Sequence, residues 1–124
     1  MKSGLVLKTT GSRYSVKDDN GDIYYCSIRG KLRLKGVKTT NPITVGDYVD
    51  FEVEDSNTGT INRVHERKNY IIRRSTNLSR ESHIIAANLD QNLLIVTIDF
   101  PETQLAFIDR YLVTAEAYSV KTVL

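Results

Sequence analysis

The sequence predicts a mainly β protein: a five-stranded barrel over residues 1–75, then the opening β-α-β unit of an α/β domain over residues 92–124. Three observations predict it. Up to Ser75 the chain is a series of short apolar stretches separated by turn residues, with no segment of helical period. Residues 92–98 (Asn-Leu-Leu-Ile-Val-Thr-Ile) are a nearly unbroken apolar run, the mark of a strand covered on both faces. After Pro101 the period turns helical, and Leu105, Ile108, Tyr111, Leu112, Ala115 and Tyr118 fall on one stripe.

The barrel strands follow from their punctuation. Leu5-Val6-Leu7 runs into Gly11-Ser12, Tyr14-Ser15-Val16 into Asp18-Asp19-Asn20-Gly21, and the stretch from Ile23 into Gly30. Residues 48–54 and 60–64 flank Asp55-Ser56-Asn57-Thr58-Gly59, a loop of hairpin length. Residues 68–73 either add a last strand or lengthen the one before. Closing five short strands into a barrel removes their exposed edges. Within residues 48–54, Val49, Phe51 and Val53 alternate with Tyr48, Asp50, Glu52 and Glu54, one face dry and the other wet. Entered through the Gly46-Asp47 turn, this pattern recurs in small barrels of the oligonucleotide-binding (OB) type. Residues 76–91 read as a linker. Residues 120–124 (Val-Lys-Thr-Val-Leu) start a second strand parallel to the first, so a larger α/β domain is expected to follow a unit that is truncated here.

Charge divides the chain. Residues 1–75 hold 14 Lys and Arg against 9 Asp and Glu, a net +5, whereas residues 76–124 hold 3 against 6, a net −3. The basic half is therefore the polyanion-binding candidate. The one cysteine, Cys26, excludes an internal disulfide and a cysteine metal site, and fits a reducing cytoplasm. Three apolar residues between Lys2 and Lys8 are too few for a signal peptide core, and no stretch approaches a membrane span, so a cytoplasmic protein is expected.

Candidate nucleic-acid-binding residues lie in two groups. Arg29, Lys31, Arg33, Lys35 and Lys38 crowd one connection without a carboxylate, and in Lys31-Leu32-Arg33-Leu34-Lys35 an extended backbone points cations one way and leucines the other. Arg63, Arg67, Lys68, Arg73 and Arg74 form the second group. A solvated strand face explains such runs as readily as phosphate contact does. Tyr14 and Tyr25 are placed on the outer face, where a ring can stack on an unpaired base although cross-strand packing is its commoner role, with Tyr24, Cys26 and Ile28 filling the core behind them. His65 and His83 lack partners at metal-ligand spacing and read as surface or capping residues. Asp109-Arg110 reads as a solvated or interdomain ion pair. There is no Gly-x-x-x-x-Gly-Lys-Ser/Thr phosphate loop and no Gly-x-Ser-x-Gly, so no catalytic residue is assigned.

Five segments in this order and spacing resemble the ribosome small-subunit-dependent GTPase A family (RsgA/YjeQ) over nearly the whole chain. They are residues 24–33 (Tyr-Tyr-Cys-Ser-Ile-Arg-Gly-Lys-Leu-Arg), 45–49 (Val-Gly-Asp-Tyr-Val), 67–75 (Arg-Lys-Asn-Tyr-Ile-Ile-Arg-Arg-Ser), 87–91 (Ala-Asn-Leu-Asp-Gln) and 108–112 (Ile-Asp-Arg-Tyr-Leu). The resemblance implies an OB barrel, a circularly permuted GTPase domain whose guanine-reading Asn-Lys-x-Asp precedes its phosphate loop, and a zinc-binding domain. It implies GTP with Mg and a structural Zn for the full-length family, a role in late maturation of the small (30S) ribosomal subunit, and docking of the barrel on 16S rRNA. It also places residues 87–91 at the junction between barrel and GTPase domain. This sequence contains none of the nucleotide motifs and no zinc ligand set, so the chain alone is expected to be inactive and without cofactor. Two other readings remain: a freestanding OB protein coating single-stranded nucleic acid, and a barrel presenting its basic face to acidic proteins.

Overall fold

The computed structural model describes residues 1–28, 43–74 and 82–124. Five strands close the expected barrel: β1 (Lys2–Thr10), β2 (Arg13–Asp18), β3 (Ile23–Ile28), β4 (Tyr48–Val53) and β5 (Thr58–Val64), in the order β1-β2-β3-β5-β4 with β4 returning to β1. All pairs are antiparallel except β3 with β5. Strand alternation fills the interior with Val6, Tyr14, Val16, Tyr24, Cys26, Val49, Phe51 and Ile61, and Ile43, ahead of β4, joins them. Tyr24 packs its ring on Phe51 at 5.2 Å between centroids. A bulge between Val6 and Lys8 puts Leu7 on the surface without a partner in β2.

Past the barrel, β6 (Tyr70–Arg74) pairs antiparallel with β7 (Ser82–Ala87). The segment read from sequence as a linker thus carries a strand, and residues 68–73 contribute to a new hairpin instead of lengthening β5. The β-α-β reading holds: β8 (Asn92–Leu93) lies parallel to β9 (Thr122–Val123), joined through α1 (Leu105–Ala117). A second small core, Ile71, Ala115 and Val120 with Leu89 against it, seats α1 on β6.

Two details of this half depart from expectation. The strand predicted over residues 92–98 is two residues long, because β9 offers two partners and the ladder closes with Leu94 N–H donating to Val123 O at 2.8 Å. Beyond it Ile95 and Ile98 are exposed. The helical stripe is correct from Ile108 onward, but Leu105, the first helical residue, is exposed.

Candidate nucleic-acid interface and the joint behind it

The first basic group, Arg29, Lys31, Arg33, Lys35 and Lys38, lies outside the described residues. Tyr14 is a correction. It is 2% exposed, because Tyr14, Val16 and Asp18 are the inward-pointing set of β2, with Tyr14 opposite Cys26 and Val16 opposite Tyr24. Loss of water around the phenol raises its pKa. Tyr25 does face outward, half exposed, and Tyr24 and Cys26 lie behind it as expected.

The second group divides into different roles. Arg63 sits on the surface across from Asp50, and Arg73 is exposed on β6, whose last residue is Arg74. Lys68 pairs with Asp90 at 2.8 Å, both in solvent, a contact of little energetic weight. Arg67 is instead a structural side chain. Its Nε and Nη2 each donate to one carboxylate oxygen of Asp47 at 2.7 Å, and the two side chains are 11% and 0% exposed.

This fork belongs to a hydrogen-bonded joint between barrel and hairpin. Asp47 also accepts from the Thr44 amide, and its own carbonyl accepts from Val6 of β1. Gly46, at φ +95°, lies so close to Ala87 that a Cβ would sit 2.0 Å from the Ala87 carbonyl oxygen, which restricts this turn to glycine. Ala87 N–H donates to Val45 O, and Asn88 Nδ2 donates to Gly46 O. Asn69, 8% exposed, then carries the network onward: its Oδ1 accepts from Leu89, and its Nδ2 donates to Leu89 O and to Ser119 O at the end of α1. Buried polar atoms satisfied on both sides hold the pieces in one arrangement.

Other groups have structural duties. The Ser3 hydroxyl, then His65 Nε2, hydrogen-bond the Asp50 carboxylate at 2.6 and 2.7 Å and hold its pKa below the usual value. Burial acts to raise the Asp18 pKa, but the Asp22 amide, Lys2 and the Asn20 amide outweigh it and the value is lowered. Burial pushes the Cys26 thiol up to about 11, that of an inert core residue. Arg110 donates to Ala106 O on its own helix. Among the described residues no cluster of His, Cys, Asp and Glu has the makings of a metal site.

Sequence reasoning noted Gly46-Asp47 as a turn and placed Tyr48 on the wet face correctly, but it missed Asp47, Asn69 and Asn88 as the joint. Hydrophobic periodicity carries no signal for a polar residue whose partner is 20 or more positions away. Asn69 and Asn88 flanking the β6–β7 hairpin were the available hint.

A small closed barrel, hydrogen-bonded through its β4 entry turn to a hairpin and a parallel β-α-β unit, defines the structural class. Two family models divide the chain between them: the RsgA N-terminal domain over residues 3–61 and the RsgA GTPase over residues 64–124. The chain belongs to the RsgA family. A relative from Flavobacterium johnsoniae, named small ribosomal subunit biogenesis GTPase RsgA, is 56% identical over 125 residues, which is 98% of this chain and 38% of the relative. One of the same name from Phocaeicola vulgatus is 58% identical over 117 residues, 94% of this chain and again 38% of the relative. Among solved structures, YjeQ from Thermotoga maritima matches with a TM-score of 0.67 and 34% identity, over 98% of this chain and 39% of that one. YloQ, described as a circularly permuted GTPase, matches with a TM-score of 0.66 and 28% identity, over 99% and 39%. The chain thus spans under two-fifths of the length of these relatives.

Proposed function

We propose that this chain is the ribosome-binding N-terminal part of a cytoplasmic GTPase acting in late maturation of the small ribosomal subunit, and that its barrel docks on 16S rRNA. The observation that carries the reading is the match of two consecutive family models to the two structural parts, among relatives named for small-subunit biogenesis. Two features support RNA as the target. The strand order β1-β2-β3-β5-β4 is that of an OB-type barrel, a scaffold suited to oligonucleotides. The net charge of +5 over residues 1–75 against −3 beyond favours phosphate contact by the barrel half.

In this proposal residues 1–75 are the binding domain and residues 92–124 open the GTPase domain, with 76–91, including β7, spanning between them. GTP and Mg²⁺ act on the length of the relatives that this chain does not span, since the sequence has neither an Asn-Lys-x-Asp nor a phosphate-loop motif. The described residues do not fit a structural zinc: Cys26 is sealed in the barrel core. That ion too is assigned to the remaining length.

The test is a salt titration of binding to purified small subunits. Log affinity should fall linearly with log salt, and removing one phosphate-contacting cation among Arg29, Lys31, Arg33 and Lys35 should lower the slope by about 1. Binding that ignores salt, or no binding, overturns the reading. The chain alone should not turn over GTP, with or without small subunits, once contaminating GTPases are excluded.

A further inference from the structure

Asn88 and Ser119 take the left-handed backbone that glycine usually fills, and Asn69 holds both. Asn88 (φ +55°) stands just past β7, and Ser119 (φ +61°) just beyond the cap of α1. Asn88 N–H donates to Asn69 O at 2.9 Å, and Asn69 Nδ2 donates to Ser119 O at 3.2 Å. With Nδ2 also donating to Leu89 O and Oδ1 accepting from Leu89 N–H, both amide hydrogens and the oxygen of this side chain are engaged.

Asparagine tolerates the left-handed region, but serine persists there only where its surroundings fix it. Asn69 does so for Ser119, and the neighbouring Tyr70 ring packs on Tyr118 at 4.8 Å between centroids. The direction the chain takes at Ser119 decides where β9 begins. Val120 is buried with its N–H donating to Ala115 O, Lys121 O accepts from Asn92, and the strand starts at Thr122.

The same network reaches the barrel. Asn88 Nδ2 donates to Gly46 O at 2.8 Å, and Gly46 N–H donates to Val6 O of β1 at 2.9 Å. Beside it the Thr44 hydroxyl lies 3.1 and 3.2 Å from Ile85 O and Ile84 O, at the bulge where the β6–β7 register skips Ile85. A contiguous run of hydrogen bonds thus leads from β1 through Gly46, Asn88 and Asn69 to Ser119. The apolar contact that seats α1 is small, Ile71 with Ala115, Val120 and Leu89, and parts joined by a small apolar contact move relative to one another by default. The polar run is what prevents it.

We infer that Asn69 is a positioning residue: it locks the turn between α1 and β9 to the barrel, so that docking of the barrel also sets the placement of the β-α-β unit on the small subunit. The inference rests on the small-subunit reading given under Proposed function and adds how docking is passed to the second structural part.

The test is a distance measurement followed by directed cleavage. Cys26 is sealed in the core, so cysteines introduced by Asp19→Cys in the β2–β3 turn and Val113→Cys on α1, both exposed, take labels selectively. Pulsed electron paramagnetic resonance between nitroxides at these positions should give one narrow distance distribution in the free chain. Asn69→Ala should broaden it about twofold, because the small apolar contact remains alone. Asn69→Asp keeps the acceptor for Leu89 N–H but donates to neither carbonyl, and should broaden it as much; a narrow distribution there would confine the role to Leu89 and overturn the inference. Asn88→Gly preserves the left-handed backbone, removes the bond to Gly46 O and should broaden it too. Circular dichroism and urea melts establish which variants fold, and Asn88→Gly carries the test where the Asn69 variants do not.

An iron chelate at Val113→Cys then reports placement on purified small subunits. The parent chain should cut the RNA at a few clustered positions, whereas Asn69→Ala should bind as tightly and scatter the cuts. Binding with an unaltered cut pattern in Asn69→Ala overturns this inference alone. If the parent chain does not bind subunits, the reading under Proposed function falls and the docking role falls with it.

Discussion

The barrel and the β-α-β unit use similar residues to opposite effect. The barrel closes every strand onto a neighbour and, among the described residues, buries nine hydrophobic residues in one cluster. The β-α-β unit pairs two strands for two residues each, buries Ala115 and Val120 against Ile71 of β6, and leaves Ile95, Ile98, Phe100, Leu105 and Val113 in solvent. Closure makes an antiparallel sheet self-sufficient, whereas a parallel pair needs cover on both faces. Stability in this chain should therefore be concentrated in residues 1–64.

The largest predicted effect is in the barrel core. Phe51 is fully buried against Tyr24, so Phe51→Ala should cost about 4 kcal/mol in a urea titration. A loss under about 1 kcal/mol would mean that the barrel core is not the seat of stability. Next is the joint. Arg67→Ala leaves the Asp47 carboxylate buried without its partner and should cost about 3 kcal/mol, with Arg67→Lys recovering part of it. An effect no larger than that of Lys68→Ala, whose ion pair lies in solvent, would separate the joint from the barrel.

A smaller effect concerns acid. Asp50 has a folded pKa below its unfolded value of about 3.9, so its contribution is present above that value and lost as pH falls through the folded one. Asp50→Asn should lower stability above about pH 4, leave it nearly unchanged at the acid end, and so make the acid limb shallower. An identical acid limb in wild type and variant would show that the contacts to Ser3 and His65 do not stabilise the fold. The smallest change is on the other side of the comparison. Phe100 is 92% exposed, and Phe100→Ala should move the urea midpoint by no more than about 0.5 kcal/mol equivalent, in contrast to Phe51→Ala. A cost near that of Phe51 would place Phe100 in a core.

Which features were legible follows from the same contrast. Alternation in residues 48–53 placed Val49 and Phe51 inside correctly, since a two-residue period is a local signal. The parallel β-α-β unit and the inward face of α1 from Ile108 to Ala115 were equally readable from local periods. Tyr14 was misplaced because a tyrosine suits either face, and only its pairing with Cys26 across β2 and β3 decides between them. The strand over residues 92–98 was overextended because an apolar run states what a segment can bury, not how many partners it meets. Arg67 looked like one cation among several. Its assignment to Asp47 depends on a contact 20 residues away that composition does not reveal.

The most direct measurement is amide hydrogen exchange on the chain, free and bound to purified small subunits. In the free chain Val6, Val49 and Phe51 should exchange only through global unfolding, while Leu93, Leu94 and Val123 exchange through local opening. On binding, added protection should fall on β1, β2 and β3 and leave α1 unchanged. Equal protection of both regions in the free chain, or added protection confined to α1, would contradict the account.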